Sequence, residues 1–205
     1  LRKQQRSLGV SESEKIKIAI KSLGLDDLGP FDPQKNIIEY VMDQGDDRPL
    51  VNMKLNQFAD ETASESMAPG GGSISAYVGA LGISLATMVA NLSAHKRGWD
   101  ERWEEFSEWA SQGQALKEKL IDLVDEDTEA FNRIIDAFRM PKGSDEEKVV
   151  RQLAITEATK NAIEVPFRVM QVAMASMPII KTMAEIGNPA SASDADAADT
   201  VTYEL

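Results

Sequence analysis

Asp127 stands where a carboxylate is costly. It lies seven residues after Leu120 and four before Phe131, so on a helix it shares the apolar stripe of Leu116, Leu120, Leu123, Val124 and Phe131. Asp125 and Glu126 fall off that stripe and are expected on the solvated face. Taking a carboxylate out of water costs free energy unless it is paired or hydrogen-bonded, and burial favours the protonated form of a carboxyl group. General acid/base chemistry near neutral pH uses that property. The pattern leaves two readings open: a proton-transferring group, or a structural Asp paired with an Arg or Lys of a packing helix.

A second stretch with chemical potential is Ala68-Pro69-Gly70-Gly71-Gly72-Ser73, a glycine turn that runs into a long helix of small apolar residues. Free backbone N–H groups and the dipole at a helix start favour an anion. The turn therefore reads as a carboxylate or carbonyl cradle, or as a tight interhelix turn capped by Ser73. No Gly-Lys-Ser/Thr follows it, so it is not a phosphate-binding P-loop, and its spacing is not that of a dinucleotide site. His95 falls in the last turn of the same helix and reads as a surface group complementing the dipole. Lys96, Arg97 and Lys142 are the cations nearest these features. Trp99, Trp103 and Trp109 sit at helical spacing and read as core or interface.

Composition narrows the field. The chain has 205 residues, 42% of them hydrophobic, enough for one domain with a real core. It has no Cys, which excludes disulfides and thiolate chemistry, and its single His argues against a histidine-based triad or multi-histidine metal site. A formal net charge of −12 argues against nonspecific binding to nucleic acid or anionic membranes. No uninterrupted apolar run reaches the length of about 18 residues of a membrane span, and no signal peptide is evident. The composition is compatible with a cytosolic protein.

The elements that must position these residues are helical. Ser11-Glu12-Ser13-Glu14 is a capping box that opens a helix ended by Gly24. Asp32 and Pro33 are the N-cap and first residue of a short helix carrying Ile37, Ile38, Tyr40 and Val41. Residues 43–49 read as a linker. Helical spacing runs from Leu50 to Ser66, from Ser73 to Lys96, and from Asp100 to Met140 with a break expected near Gly113. Ser144-Asp145-Glu146-Glu147 caps a helix to about Glu164, Pro166 is expected to bend or restart the chain, and a Met-rich helix continues to Ile186. The fold class is an all-α multihelical bundle of long packed helices, expected to dimerise through them.

These residues resemble the formimidoyltransferase-cyclodeaminase family. The resemblance rests on Ala-Pro-Gly-Gly-Gly-Ser at 68–73 with the small-residue helix after it, Leu-Val-Asp-Glu-Asp-Thr-Glu-Ala-Phe at 123–131 and Met-Pro-Lys at 140–142. Glu164-Val165-Pro166 and the stretch from Gly187-Asn188-Pro189 to Asp194 also match. Leu23-Gly24-Leu25, Pro30-Phe31-Asp32-Pro33 and Ile37-Ile38-Glu39-Tyr40 look like the last helices of the transferase half. The resemblance implies four parts: a transferase tail at 1–42, a linker at 43–49, an incomplete cyclodeaminase domain at 50–194, and a poorly ordered or non-family tail at 195–205. On that footing the chain is a portion of a two-domain enzyme.

For function, the resemblance implies a folate-dependent lyase that converts 5-formimidoyltetrahydrofolate to 5,10-methenyltetrahydrofolate and ammonia in histidine degradation. The family's catalytic aspartate falls on Asp127. Pro69, Gly70, Gly71, Gly72, Ser73, Lys142 and Asp194 are the expected substrate-binding residues. The tetrahydrofolate derivative is substrate, polyglutamylated or not, and no tightly bound cofactor or metal is expected. Expected partners are a fused transferase domain and further copies of the chain, with no nucleic acid or membrane. Two alternatives stand beside this: a methenyltetrahydrofolate cyclohydrolase on the same site, and a catalytically silent helical assembly module.

Overall fold

The computed structural model describes residues 9–27, 29–42 and 48–191. Among them it contains seven helices and no strand: α1 (Glu12–Leu23), α2 (Pro33–Asn36), α3 (Ile38–Met42), α4 (Leu55–Thr62), α5 (Gly71–Ala94), α6 (Trp103–Arg139) and α7 (Asp145–Ile186). The all-α class expected from the spacing is what forms. Asp194, the expected tail at 195–205 and most of the linker lie outside the described residues.

The local stops and starts follow the residues. Ser11 caps α1 by accepting from the Glu14 N–H, and Gly24 ends it in the left-handed region at φ 65°. Asp32 caps α2 at its Pro33 start. Ser144 and Glu147 form a reciprocal capping box at the head of α7, the serine oxygen accepting from the Glu147 N–H at 3.1 Å.

Three long helices make the core. Ser73 meets Val124, Gly79 meets Leu120 and Gly113 meets Thr87, so α6 runs antiparallel to α5. Asn188 donates its N–H to Ser93 Oγ at 2.8 Å, while Gly70 and Ala162 line one pocket, so the second half of α7 runs parallel to α5. Helix α5 lies close because it is built small: Ala76, Ala80, Ala86, Ala90 and Ala94 are all buried. Its hydroxyls fold back onto its own carbonyls, Ser84 to Ala80, Thr87 to Ile83 and Ser93 to Val89, at 2.6–2.8 Å. Polar side chains thus sit on a closely packed helix with their bonds made. The far halves of α6 and α7 continue past α5 as a two-helix arm, and Phe138, Val149, Val150 and Leu153 on it are exposed.

Several expectations need correction. Helix α6 does not break at Gly113; a Cβ there would overlap Thr87 Oγ1, so this glycine marks close approach of two helices. Its propensity cost of about 1 kcal/mol is offset by that packing. Helix α7 is one helix from Asp145 to Ile186, so Pro166 does not restart the chain, and Pro178 lies inside the helix as expected. The helix expected over Leu50–Ser66 is confined to Leu55–Thr62, because the residues before it turn to place their N–H groups on α6. Finally, α5 and α7 are each long and apolar enough by composition to cross a membrane, contrary to the expectation from uninterrupted runs. In α5, 44% of that apolar window is buried inside the bundle, and in α7 28%.

Candidate active site

Helix α5 starts at Gly71 with Gly70 as N-cap, and no side chain of its own satisfies its first turn. Ser73 is therefore inside that turn rather than capping it, and its N–H is one of the donors a helix start leaves unpaired. Asp127 from α6 takes it. Oδ2 accepts from the Ser73 N–H at 3.0 Å and lies 3.2 Å from the Ser73 hydroxyl, which also donates to the Val124 carbonyl at 2.7 Å. Thr128 Oγ1 stands 3.3 Å from the same hydroxyl. The anion at this helix N-terminus is the protein's own carboxylate.

Gly72 makes the approach feasible. A Cβ at that position would overlap the Asp127 carboxyl group, Oδ1 first. Both hydrogen bonds fall on Oδ2, and among the described residues Oδ1 has no donor. The carboxylate lines a pocket of about 240 Å³ with Met67, Ala68, Gly70, Gly71, Thr128, Phe131 and Ala162.

No Arg or Lys pairs with Asp127 among the described residues. Arg168 of the packing helix α7 bonds Glu126 instead, in a two-pronged pair at 2.5 and 2.9 Å. Hydrogen bonding to Glu126 holds the Arg168 guanidinium above its ordinary range despite some desolvation. Glu126 is thus half-buried in an ion pair. Asp125 departs further from the expected solvated face: it is buried, and its two oxygens accept from the Leu50 and Val51 N–H groups at 2.8 and 3.0 Å. The chain before α4 lies on that flank of α6, widening the buried arc beyond the stripe. Asp125 is a carboxylate spent on structure. Asp127, a pocket-lining residue whose Oδ1 has no donor among the described residues, is the one placed for chemistry.

The other expected site residues divide. Gly70 and Gly71 line the pocket, while Gly72 and Ser73 act on the carboxylate rather than on the cavity. Pro69, joined to Ala68 by a cis peptide, is buried behind the turn. Lys142 is exposed in the loop between α6 and α7 and does not line the pocket. Sequence reasoning missed Met67, Thr128, Phe131 and Ala162 as lining residues. Phe131 and Thr128 were available from their phase beside Asp127; Ala162 carried no signal. His95 ends α5 at the surface, and Trp99 stacks on Phe106 with ring centroids 5.5 Å apart, away from this site. A larger cavity of about 700 Å³ lies between α1 and the loop before α2. Its carboxylates, Glu14 and Asp26, are exposed, so size alone favours it.

The chain is similar to known proteins over most of its length. Residues 54–203 match the family model for formiminotransferase-cyclodeaminase, and residues 1–43 that for the formiminotransferase domain. Formimidoyltransferase-cyclodeaminase of Rattus norvegicus is 34% identical over 186 residues, 90% of this chain and 34% of the relative. The protein of that name from Gallus gallus is 33% identical over 193 residues, 94% of this chain and 36% of the relative. A methenyltetrahydrofolate cyclohydrolase of Methylorubrum extorquens is 34% identical over 152 residues, covering 74% of this chain and 73% of its own. The crystal structure of formiminotetrahydrofolate cyclodeaminase from Thermotoga maritima superposes with a TM-score of 0.61 at 32% identity, over 72% of this chain and 69% of that one. The chain spans about a third of the length of the Rattus and Gallus proteins. It belongs to the formiminotransferase-cyclodeaminase family.

Proposed function

We propose that the chain carries the cyclodeaminase site of a bifunctional folate enzyme of histidine breakdown, converting 5-formimidoyltetrahydrofolate to 5,10-methenyltetrahydrofolate and ammonia. The observation that carries this is the Asp127 carboxylate, held by Ser73 through one oxygen on the wall of the pocket beside the glycine turn. N10 of the folate attacks the amidine carbon on N5, giving a tetrahedral adduct. N10 must lose its proton and the adduct's amino group must gain one before ammonia leaves. One carboxylate can take the first proton and deliver the second. A pocket of about 240 Å³ is small for a whole folate, so it receives the reacting atoms while the glutamate tail lies outside. The N–H groups of Gly71 and Gly72, at the start of α5, are the backbone donors beside the reacting centre.

The Methylorubrum relative favours a second reading, cyclohydrolysis on the same site, in which water attacks the methenyl carbon and Asp127 accepts its proton. One assay separates the two. Formation of methenyl product from formimidoyl substrate is followed in the near ultraviolet, with ammonia measured in parallel. Ammonia released in step with methenyl product supports cyclodeamination; hydrolysis of methenyl substrate with no ammonia from formimidoyl substrate supports the second reading. No turnover of either substrate leaves the helical assembly module.

Gly72→Ala tests the geometry. The added methyl displaces the Asp127 carboxyl from Ser73, and a misplacement of about 1 Å in a reacting group lowers turnover on the order of a hundredfold. Unchanged far-ultraviolet circular dichroism would show that the bundle persists. Full activity would mean that the placement of the carboxyl is not what the reaction needs.

The reading extends to assembly and place. Residues 1–42 form the tail of the transferase domain, 43–49 the linker and 50–194 the cyclodeaminase portion, in a cytoplasmic homo-oligomer. The outward face of α5 carries Val78, Leu81, Leu85, Met88 and Leu92, spaced three and four apart and 37–60% exposed, on a helix with no charged residue. A second copy of the chain is the occupant that this repeated apolar spacing suits. Leu85→Glu at the middle of the stripe is expected to shift the protein from dimer to monomer in sedimentation velocity. A species of the same size in both proteins would remove this seam.

A further inference from the structure

Ser73 is fully buried, so it does not touch a substrate in the pocket, yet two of its contacts converge on the reacting group. Its N–H reaches Asp127 Oδ2 at 3.0 Å, and being backbone within the first turn of α5 it cannot rotate away. Its hydroxyl carries one hydrogen among three possible acceptors, the Val124 carbonyl at 2.7 Å, Asp127 Oδ2 at 3.2 Å and Thr128 Oγ1 at 3.3 Å. The carbonyl can only accept, so the hydroxyl adapts to Asp127 by rotation. With the proton on Oδ1, Oδ2 still accepts as a carbonyl-type oxygen, so the N–H and the hydroxyl hydrogen of Ser73 both remain available to it in either proton state. The heavy atoms need not move in either case.

We propose that Ser73 is a positioning residue for the reaction: its two donors grip Oδ2 through both proton states, leaving Oδ1 as the oxygen that takes the proton from N10 and returns it to the leaving amine. This rests on Asp127 being the proton carrier. A carboxyl group gripped at one oxygen keeps its plane fixed while the other works, and reaction rates are sensitive to such alignment. The role of Ser73 therefore differs from the direct substrate contact expected from sequence.

The test uses the whole chain and three proteins beside wild type: Ser73→Ala, Asp127→Asn and the double variant. Ser73→Ala keeps the backbone grip and loses the hydroxyl, so kcat is expected to fall about tenfold with KM unchanged, because the residue meets no substrate. On the Asp127→Asn background the same change is expected to lower the residual rate no further, since its partner's function is already gone. A structural role would instead lower both backgrounds alike. Should Ser73→Ala fail to fold, Ser73→Cys keeps the volume with a weaker donor and is expected to show the same loss in kcat alone. Wild-type kcat in the Ser73 variant, a change in KM alone, or an additive loss in the double variant would overturn the positioning role. Wild-type turnover in Asp127→Asn would overturn the proton-carrier reading beneath it.

Discussion

Asp127→Asn leaves the bundle folded and lowers formation of methenyl product on the order of a thousandfold, the range that one positioned acid/base group contributes. Asparagine is close to isosteric and keeps an oxygen that can accept from the Ser73 N–H, so the start of α5 retains its interhelix cap. What it loses is the capacity to take a proton and give it back. The variant therefore separates the two functions that the carboxylate combines. If Asp127 only capped α5, the asparagine protein would turn over normally and Asp127→Ala would unfold more readily than either. Steady-state rates for the wild type and both variants, with thermal melts on the same samples, decide this. Activity that survives in Asp127→Asn would end the assignment.

The second large effect is expected two residues earlier and on stability. Asp125→Ala removes the acceptor for the Leu50 and Val51 N–H groups, and Leu50 is buried. A buried donor left without a partner costs about 1–3 kcal/mol, which applies in full to Leu50, while the half-buried Val51 adds less. The segment that Asp125 ties down leads into α4, whose Phe58 ring packs on Tyr77 of α5 at 5.3 Å. Denaturant titration should show the midpoint falling, and hydrogen exchange should show Leu50 and Val51 losing protection first. If these amides keep their protection in Asp125→Ala, another group holds the segment. Asp125→Asn keeps one acceptor oxygen and is expected to lose about half as much.

The contrast between these neighbouring aspartates measures what the sequence could reveal. The phase of Asp127 against Leu120, Leu123 and Val124 was legible because α6 is a regular helix with a clear stripe. Asp125 was misplaced on the solvated face because its burial comes from residues 50–51, an irregular stretch with no periodicity to announce where it lies. The glycine turn was legible as a close approach to an anion, but not that the anion is Asp127. That pairing depends on the antiparallel register of α5 and α6, which neither helix encodes alone. Gly113 and Pro166 were read as interruptions from local propensity, and tertiary packing overrode both, keeping α6 and α7 continuous. Lys142, grouped with the site by its motif, stays on the far loop because the arm of α6 and α7 carries it beyond α5.

The antiparallel run of α5 and α6 has a consequence for how the reactive geometry is inherited along the chain. Every group that grips Asp127, and all the pocket wall except Ala162, falls between residues 67 and 131. That block is one helical hairpin whose halves are consecutive along the chain, with Ser73 and Asp127 meeting at its open end. The alignment of serine and aspartate is thus written in a single contiguous passage. It can be carried as one unit into proteins of different length, with or without a second domain in front.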